Sequence, residues 1–178
     1  MQRTTEELET LLDDILAAPK DAGPIELIVR RPGENQREIV ESGELSSDQG
    51  LVGDNWIDRV DHNGQPNTDA QLTLMNSRVT DAVAVTRERW PLAGDQIYVD
   101  MDISHENLPA GSHIRVGEAI VEISETPHTG CAKFAGRFGK EALRFANVGI
   151  GRDHRFRGVN AFVVASGRFQ VGDKITKL

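Results

Sequence analysis

The stretch RVGEAIVEISETPHTGCAKF, residues 115–134, decides the fold and contains the single cysteine of the chain, Cys131. Its first half alternates apolar and polar residues, which is typical of β-structure with one buried face. Its second half contains Pro127 and Gly130, which are turn residues, and a segment that can begin a helix follows. The sequence therefore predicts that Cys131 lies in a loop between a strand and a helix.

Cys131 has two interpretations. Free cysteine is among the most buried residue types, and it usually packs as a small apolar side chain. In a loop before a helix, however, a thiol can face backbone N–H groups, which lower its pKa below the ordinary value of about 8.5. Because thiolate is both a nucleophile and a metal ligand, Cys131 is a candidate catalytic and metal-binding residue. His128 is a second catalytic candidate, which could orient the loop or donate a hydrogen bond.

A zinc site or a Cys-His hydrolase would need more than these two residues. Catalytic zinc takes three protein ligands, and the chain has no second cysteine. The further ligand would have to come from the other histidines, which are His62, His105, His113 and His154. A hydrolase would need an orienting Asn or Asp beside the histidine, and the sequence leaves its position open. We expect no zinc site.

Outward from this stretch, the chain consists mainly of short β-prone segments. They are residues 25–30 and 37–45, which a Pro-Gly turn joins into a predicted hairpin, and 70–76, 96–103, 113–124 and 159–166. The shared pattern of VGEAI (116–120) and VGDKI (171–175) indicates recurring hairpin turns. The pattern favours a mainly β fold with peripheral helices, either a barrel or a sandwich.

Three segments are predicted helices. The first has a capping box, Thr4 with Glu7, and an apolar stripe, and it ends before Pro19. The second covers residues 76–90 and ends at Pro91, and the third covers 137–147. No linker separates two domains. We therefore expect an N-terminal helix, within residues 1–22, that packs on a β-domain of residues 23–178.

Composition and charge exclude several classes of function. The 178-residue chain has a formal net charge of −8, which argues against nucleic-acid binding, and no apolar run is long enough to span a bilayer. A reducing, cytoplasmic location is expected because one cysteine allows no internal disulfide and the acidic N-terminus is not a signal peptide. The basic residues concentrate in the last third, where they could form a local face for a small anion.

Five ordered segments together resemble the MOSC family, the domain named for the C-terminal part of molybdenum-cofactor sulfurases. They are GLVGDNW (50–56), DAQLTLMN (69–76), AGDQIYVDMDI (93–103), the stretch 115–134 and GVNAFVVASGRFQVGDKI (158–175). The resemblance covers roughly residues 23–178 and is closest to small stand-alone bacterial members. Its most specific parts are Val116–Lys133 and Val163–Asp173.

The resemblance implies a MOSC-like β-barrel that binds the molybdenum cofactor, molybdopterin, with Cys131 as a molybdenum ligand or sulfur carrier. Members of this size include reductases of N-hydroxylated compounds, such as hydroxylaminopurines and amidoximes, that receive electrons from a partner protein. We therefore expect a small-molecule substrate and an external electron-donor protein. Larger members also contain a pyridoxal-phosphate desulfurase, and because that domain is not in this sequence we expect no pyridoxal phosphate.

Clustered charge indicates further candidates for cofactor binding. Arginine recognises phosphate in a bidentate way, so the basic residues of the last third could cover a cofactor phosphate. These candidates are Lys133, Arg137, Arg152, Arg155 and Arg157. Asp54 and Asp95 are candidates for orienting cofactor or substrate, although each could instead be a turn or capping residue.

Two alternatives to a reductase remain open. Cys131 could hold a persulfide and deliver sulfur to another protein or cofactor. The chain could also be a non-catalytic ligand-binding module with a degenerate site. The second alternative is supported by two departures from the family pattern, at Gly94–Ile97 and in ETPHTGC before the cysteine, residues 125–131.

Overall fold

Seven strands close into a β-barrel in the computed structural model, which describes residues 2–178. The strands of this part of the chain are β1 (Ala22–Arg30), β2 (Glu38–Val40), β3 (Ser42–Ser46), β4 (Gly50–Leu51), β5 (Leu72–Asn76), β6 (Ile97–Val99), β7 (His113–Val116), β8 (Ala119–Ile123), β9 (Val159–Ala165), β10 (Gly167–Gln170) and β11 (Lys174–Lys177). The barrel order is β1-β11-β7-β8-β9-β5-β6, and β6 pairs again with β1. The predicted β-barrel is confirmed.

Two small additions complete the β-structure. Strand β2 pairs antiparallel with β1, as the predicted hairpin requires, and Ile28 lies opposite Val40. The rest of that predicted second strand is separate, because β3 leaves the barrel and forms a three-stranded sheet with β10 and β4. The predicted hairpin turn at VGEAI is also confirmed, since β7 and β8 pair across Gly117, whose φ of 58° favours glycine.

A bulge in β1 changes which of its side chains point into the barrel and which point out of it. Ile25 and Ile28 belong to the apolar cluster that fills the barrel, whereas Leu27 and Val29 belong to a second cluster outside it. Side chains of a regular strand alternate, so residues 25 and 28 could not both point inward without an extra residue. The register against β6 shifts between Ile25 and Leu27, which supplies that residue. Both faces of β1 are thereby buried.

The one parallel pair of the barrel, β5 with β6, has a helical connection. All five residues of β5 are buried, and this burial is typical of a strand covered on both faces. Antiparallel strands can be joined by a tight turn, but a parallel pair needs a longer crossover. Residues 77–93 provide it, as a helix from Ser77 to Ala84 and a 3-10 segment from Arg87 to Ala93.

Helices cover one side of the barrel. They are α1 (Thr5–Glu9), α2 (Leu12–Leu16), α3 (Ser77–Ala84), α4 (Ala132–Phe138), α5 (Lys140–Asn147) and α6 (Ile150–Asp153), together with 3-10 segments at Asn55–Asp58, Thr68–Ala70 and Arg87–Ala93. Their apolar faces and the outer face of the barrel form the second buried cluster. Within residues 2–178, no helix combines the length and apolar character that crossing a bilayer requires.

The predicted helix boundaries need three corrections. The first helix begins with the predicted capping box, but it is interrupted after Glu9 and continues as α2. The second ends at Ala84, well before Pro91, and Pro91 lies inside a 3-10 segment, a tighter helix form used in short pieces. The third is two helices, because Gly139 at φ 97° separates α4 from α5.

The N-terminal helices pack on the outer cluster. Leu8 of α1 and Ile15 of α2 are buried there beside Met75 and Tyr98, which project outward from β5 and β6. The Arg78 guanidinium on α3 bonds the Asp100 carboxylate and the backbone carbonyl of Asp14. Residues 2–22 therefore cover the barrel on the side where the crossover lies.

Candidate functional site

An open cleft of about 820 Å³ lies beside Cys131. Its wall comes from five parts of the chain: the loop after β1, the 3-10 segment after β4, the residues before β5, the end of the crossover and the stretch from Thr126 to Arg137. The start of β9 completes it. Segments that are far apart in sequence therefore meet beside Cys131, and loops supported by a rigid scaffold are common locations for binding sites.

Cys131 is exposed in this cleft and directly precedes α4. Its side chain makes no capping hydrogen bond, yet the backbone N–H of Phe134 faces the sulfur closely enough to lower the pKa of Cys131. Burial opposes this shift, and the Lys133 N–H and the positive charges of Arg157 and Arg137 add to it. The predicted position between strand and helix is confirmed. The thiol is accessible and its surroundings favour the thiolate.

Six cationic side chains line the cleft, although the chain as a whole is acidic. They are Arg31, Arg37, Arg59, Lys133, Arg137 and Arg157, and the only acidic lining residue in the described chain is Glu34. Sequence analysis predicted the last three and missed the first three, which lie in the acidic first third. Arg31 could have been noticed as one of two adjacent arginines at the end of a strand, but neither Arg37 nor Arg59 has a distinguishing local signal.

The cations at the rim of the cleft are crowded. Burial and the neighbouring charges of Arg137 and Arg31 lower the pKa of Arg37 from its ordinary value. The Arg37 Nε donates to the carbonyl of Pro91, and the Arg137 Nη1 donates to that of Leu92. Mutual repulsion of this kind is relieved by a bound anion.

Arg31 is held by Asp54 in a buried bidentate ion pair. The Asp54 carboxylate accepts from Arg31 Nε and Nη2, both at 2.8 Å, from the Arg31 backbone N–H and from the backbone N–H of Trp56. The last bond caps the 3-10 segment Asn55–Asp58. Asp54 is therefore the capping residue that the sequence allowed, and it also holds a cleft arginine in place. Asp54 does not itself line the cleft.

Arg157 is held by Asp95 in a second buried pair. The Arg157 Nη1 donates to Asp95 Oδ2 at 2.7 Å, Nη2 donates to the Ala93 carbonyl, and the guanidinium lies 5.0 Å from the ring centre of Phe134. The other Asp95 oxygen, Oδ1, lies 3.4 Å from His128 Nδ1. This contact is too poorly aligned for a hydrogen bond, so both atoms are buried without a partner in the described chain.

His128 is neutral at physiological pH. Burial, followed by the charge of Arg157, lowers its pKa to about 4, while the nearby Asp95 carboxylate opposes the shift. A neutral imidazole can accept or donate a hydrogen bond in the cleft but does not supply a positive charge. His128 also lines a second cavity on the opposite side of its loop.

Arg152 and Arg155 are not brought to the Cys131 cleft. They line the second cavity, and Arg155 uses its guanidinium to bond the carbonyls of Leu108 and Ile103. The physical reason is the direction of the chain after α6, which passes behind the loop containing His128. The predicted cationic group of five therefore divides, and only Lys133, Arg137 and Arg157 line the cleft. Across residues 2–178, no three His, Cys, Asp or Glu side chains form a group that could hold a metal ion.

Three solved structures share this architecture. YuaD from Bacillus subtilis is 15% identical with a TM-score of 0.60, and the match covers 86% of this chain and 94% of that one. YiiM from Escherichia coli is 19% identical with a TM-score of 0.57, covering 87% and 69%. YiiM from Geobacillus stearothermophilus is 15% identical with a TM-score of 0.52, covering 88% and 73%. YiiM is a MOSC-domain protein.

The chain has a MOSC-like fold. The resemblance seen in five ordered sequence segments is thereby confirmed at the level of the fold. No family model matches the sequence, and no curated protein matches it. At 15–20% identity the shared fold says nothing about ligands, so the function has to be argued from the cleft itself.

Proposed function

We propose that this MOSC-like protein binds the molybdenum cofactor in the cleft beside Cys131 and reduces N-hydroxylated bases or similar small molecules with electrons from a partner protein. The observation that carries the proposal is the pairing of an exposed, thiolate-favouring cysteine with a cationic cleft. A soft metal ligand and a phosphate-binding surface are the two things that a phosphate-bearing metal cofactor needs.

The residues present fit such a group. A volume of about 820 Å³ lies within the range of roughly 300–1,000 Å³ that is usual for ligand and cofactor sites. Three buried polar atoms of cleft residues, Asn55 Oδ1, His128 Nδ1 and Arg157 Nε, have no hydrogen-bond partner within residues 2–178. Polar groups of this kind are normally satisfied, and a polar ligand or ordered water would satisfy them.

Each part of the cleft would have a separate task. Cys131 would bind the metal through its thiolate, and the rim cations Arg37, Arg137 and Lys133 would bind the phosphate. Arg31 and Arg157, fixed by their buried aspartates, would keep the cleft in shape during binding. His128, which is neutral, would position a substrate or water by hydrogen bonding. Asp54 and Asp95 would act through their arginines.

The reaction is a two-electron reduction. When bound, the cofactor would supply a redox-active metal for this reduction, whose electrons come from the donor protein. An R–NHOH group takes up two electrons and two protons, the N–O bond breaks, and the products are R–NH₂ and water. The protons come from solvent through the open cleft, since His128 is not in its acidic imidazolium form at neutral pH.

The test is cofactor retention. The full chain is purified from a host that makes the cofactor, alongside Cys131→Ala, Arg137→Ala and the control Arg168→Ala, whose side chain lies on β10 outside the cleft. We expect molybdenum and pterin in about equimolar amounts with the chain, loss of molybdenum in Cys131→Ala, weaker retention in Arg137→Ala and no change in Arg168→Ala.

Other outcomes would replace the proposal. Labile sulfur on Cys131 without molybdenum would make the chain a persulfide carrier. The absence of molybdenum, pterin and sulfur from every sample would leave a non-catalytic ligand-binding module. Retention that is unchanged in Arg137→Ala would show that this cation does not hold the phosphate.

A further inference from the structure

The second cavity, of about 260 Å³, lies behind the loop from Thr126 to Thr129. Fifteen residues line it, and six of these also line the Cys131 cleft, so the loop is a shared wall between two spaces. The rest of its wall comes from the end of α5, the residues after α6 and the start of β9. We propose that this cavity is a separate binding site for a small, uncharged heteroaromatic molecule.

Its inner wall is apolar with a few polar groups. Ala146 and Val159 are buried there, and Ser124, Asn160 and Arg157 are buried polar residues beside them. A small apolar pocket with a few placed polar groups is the usual form of a small-molecule site. The volume is far below that of the cleft, so the cavity suits a single small ring system and not a cofactor with a phosphate tail.

Most N–H groups of the cationic side chains in the cavity already have partners, and Glu125 adds a negative charge to the lining, so little is left to bind an anion. Arg157 is neutralised by Asp95, and Arg155 is committed to two backbone carbonyls. Arg152 lies at the exposed rim, where its Nε is 3.3 Å from an Asp153 carboxylate oxygen. The cavity therefore differs from the cleft, whose rim cations repel one another. An uncharged ligand fits the cavity better than an anionic one.

Planar side chains favour a flat ring. The cavity is lined by two imidazoles, those of His105 and His128, and by the guanidinium groups of Arg155 and Arg157. Burial lowers the pKa of both histidines from the ordinary value, so both are neutral at pH 7 and offer a ring face and a hydrogen-bonding nitrogen. Heterocyclic bases stack on imidazole and guanidinium planes in this way.

The shared wall is fixed at its ends and free in its middle. The Asn160 amide donates to the Thr126 carbonyl, and the Asn147 amide bonds both the N–H and the carbonyl of Gly130. Between these points, residues 127–129 make no backbone–backbone hydrogen bond in the described chain. A ring bound in the second cavity would press on this middle segment, which contains His128. Amide signals of the segment will therefore report binding.

The experiment titrates the full chain with adenine, which is uncharged at pH 7, and separately with inorganic phosphate, and follows backbone amide NMR signals. We expect saturable adenine shifts centred on the amide signals of Thr126, His128, Thr129, Ala146 and Asn147. Ala146→Leu fills the cavity and His105→Ala removes one ring from its rim, while Arg59→Ala alters only the cleft. Because stacking on one such ring changes affinity by about tenfold, we expect adenine binding to be about tenfold weaker in the first two variants and unchanged in Arg59→Ala.

The result separates this site from the proposed function. Adenine binding that weakens in His105→Ala and stays unchanged in Arg59→Ala supports the second site, whatever metal or pterin the preparation contains. If Ala146→Leu does not fold, a comparison of adenine affinity between His105→Ala and Arg59→Ala still tests the proposed site. No saturable adenine binding, or binding weakened only by Arg59→Ala, overturns it. Phosphate binding tests the cleft alone, so the absence of phosphate binding would leave the adenine result unaffected.

Discussion

Two buried arginine–aspartate pairs support the cleft, and they differ in how completely they are satisfied. Every oxygen of Asp54 accepts a bond, from Arg31 and from the Trp56 backbone. Asp95 is satisfied on one oxygen by Arg157, while its other oxygen faces His128 without a hydrogen bond. Unsatisfied buried polar groups carry a free-energy penalty and are often found at functional sites. We therefore expect the first pair to contribute more to the stability of the fold, whereas the second leaves two polar atoms without a partner beside the cleft.

The largest effect that would test this comparison comes from Asp54→Ala. Removing the carboxylate leaves the buried Arg31 charge uncompensated and removes a capping bond, so we expect the free energy of unfolding to fall by about 3–5 kcal/mol. Asp95→Ala should lower it less, because that variant also removes an oxygen that has no partner. Urea unfolding of both variants measures the difference. Equal losses would mean that the two pairs contribute alike.

A smaller effect should appear as a pH dependence of stability caused by His128, which lies beside the second pair. The pKa of His128 is about 4 in the folded chain and about 6.5 when exposed, so between these values the unfolded state binds the proton first. Protonation therefore favours unfolding, and stability should fall as pH decreases from about 6.5 towards 4, by on the order of 2 kcal/mol.

The matched control is His128→Asn, in which this part of the decrease should be absent. Urea unfolding midpoints of the two proteins, measured at intervals between pH 4 and 7, give the comparison. Parallel curves would show that other groups, and not the imidazole beside Asp95, determine acid sensitivity in this window.

The sequence predicted what local signals encode. Alternation and turn residues gave the β7–β8 hairpin, and Pro127 with Gly130 gave the loop before Cys131. Local signals could not show that β3 belongs to a different sheet from β2, because β3 pairs with β10, which lies more than a hundred positions away in the sequence. Local signals also predicted a continuous helix across Gly139, where the structure has two helices, because a single glycine is compatible with a continuous helix.

The same limit applies to the candidate site. Charge clustering along the chain grouped Arg152 and Arg155 with Arg157, but the fold brings only Arg157 to the cleft, and the other two line the second cavity alone. It missed Arg31, which reaches the cleft because Asp54 holds it there across 23 positions of sequence. A cluster in sequence becomes a cluster in space only where the backbone keeps its members on one face.

The smallest effect concerns Cys131, which senses the second pair and not the first. The positive charges of Arg157 and Arg137 help to lower the pKa of Cys131, so the thiolate should form at a lower pH than in an ordinary thiol. The rate of alkylation by iodoacetamide, measured against pH, should have its midpoint below about 8.5. Arg137→Gln should raise that midpoint, whereas Arg59→Gln, which also removes a cleft cation, should move it less.

This prediction separates local from collective electrostatics. If both variants raise the midpoint equally, the cleft acts on the sulfur as a diffuse positive field and not through particular nearby cations. If Arg137→Gln alone raises it, the thiolate is stabilised by the groups on its own side of the cleft, led by the Phe134 N–H that neither substitution removes. The pKa of Cys131 is then set by the backbone N–H groups at the start of α4 and by the charges of Arg137 and Arg157, the second of which Asp95 holds in place.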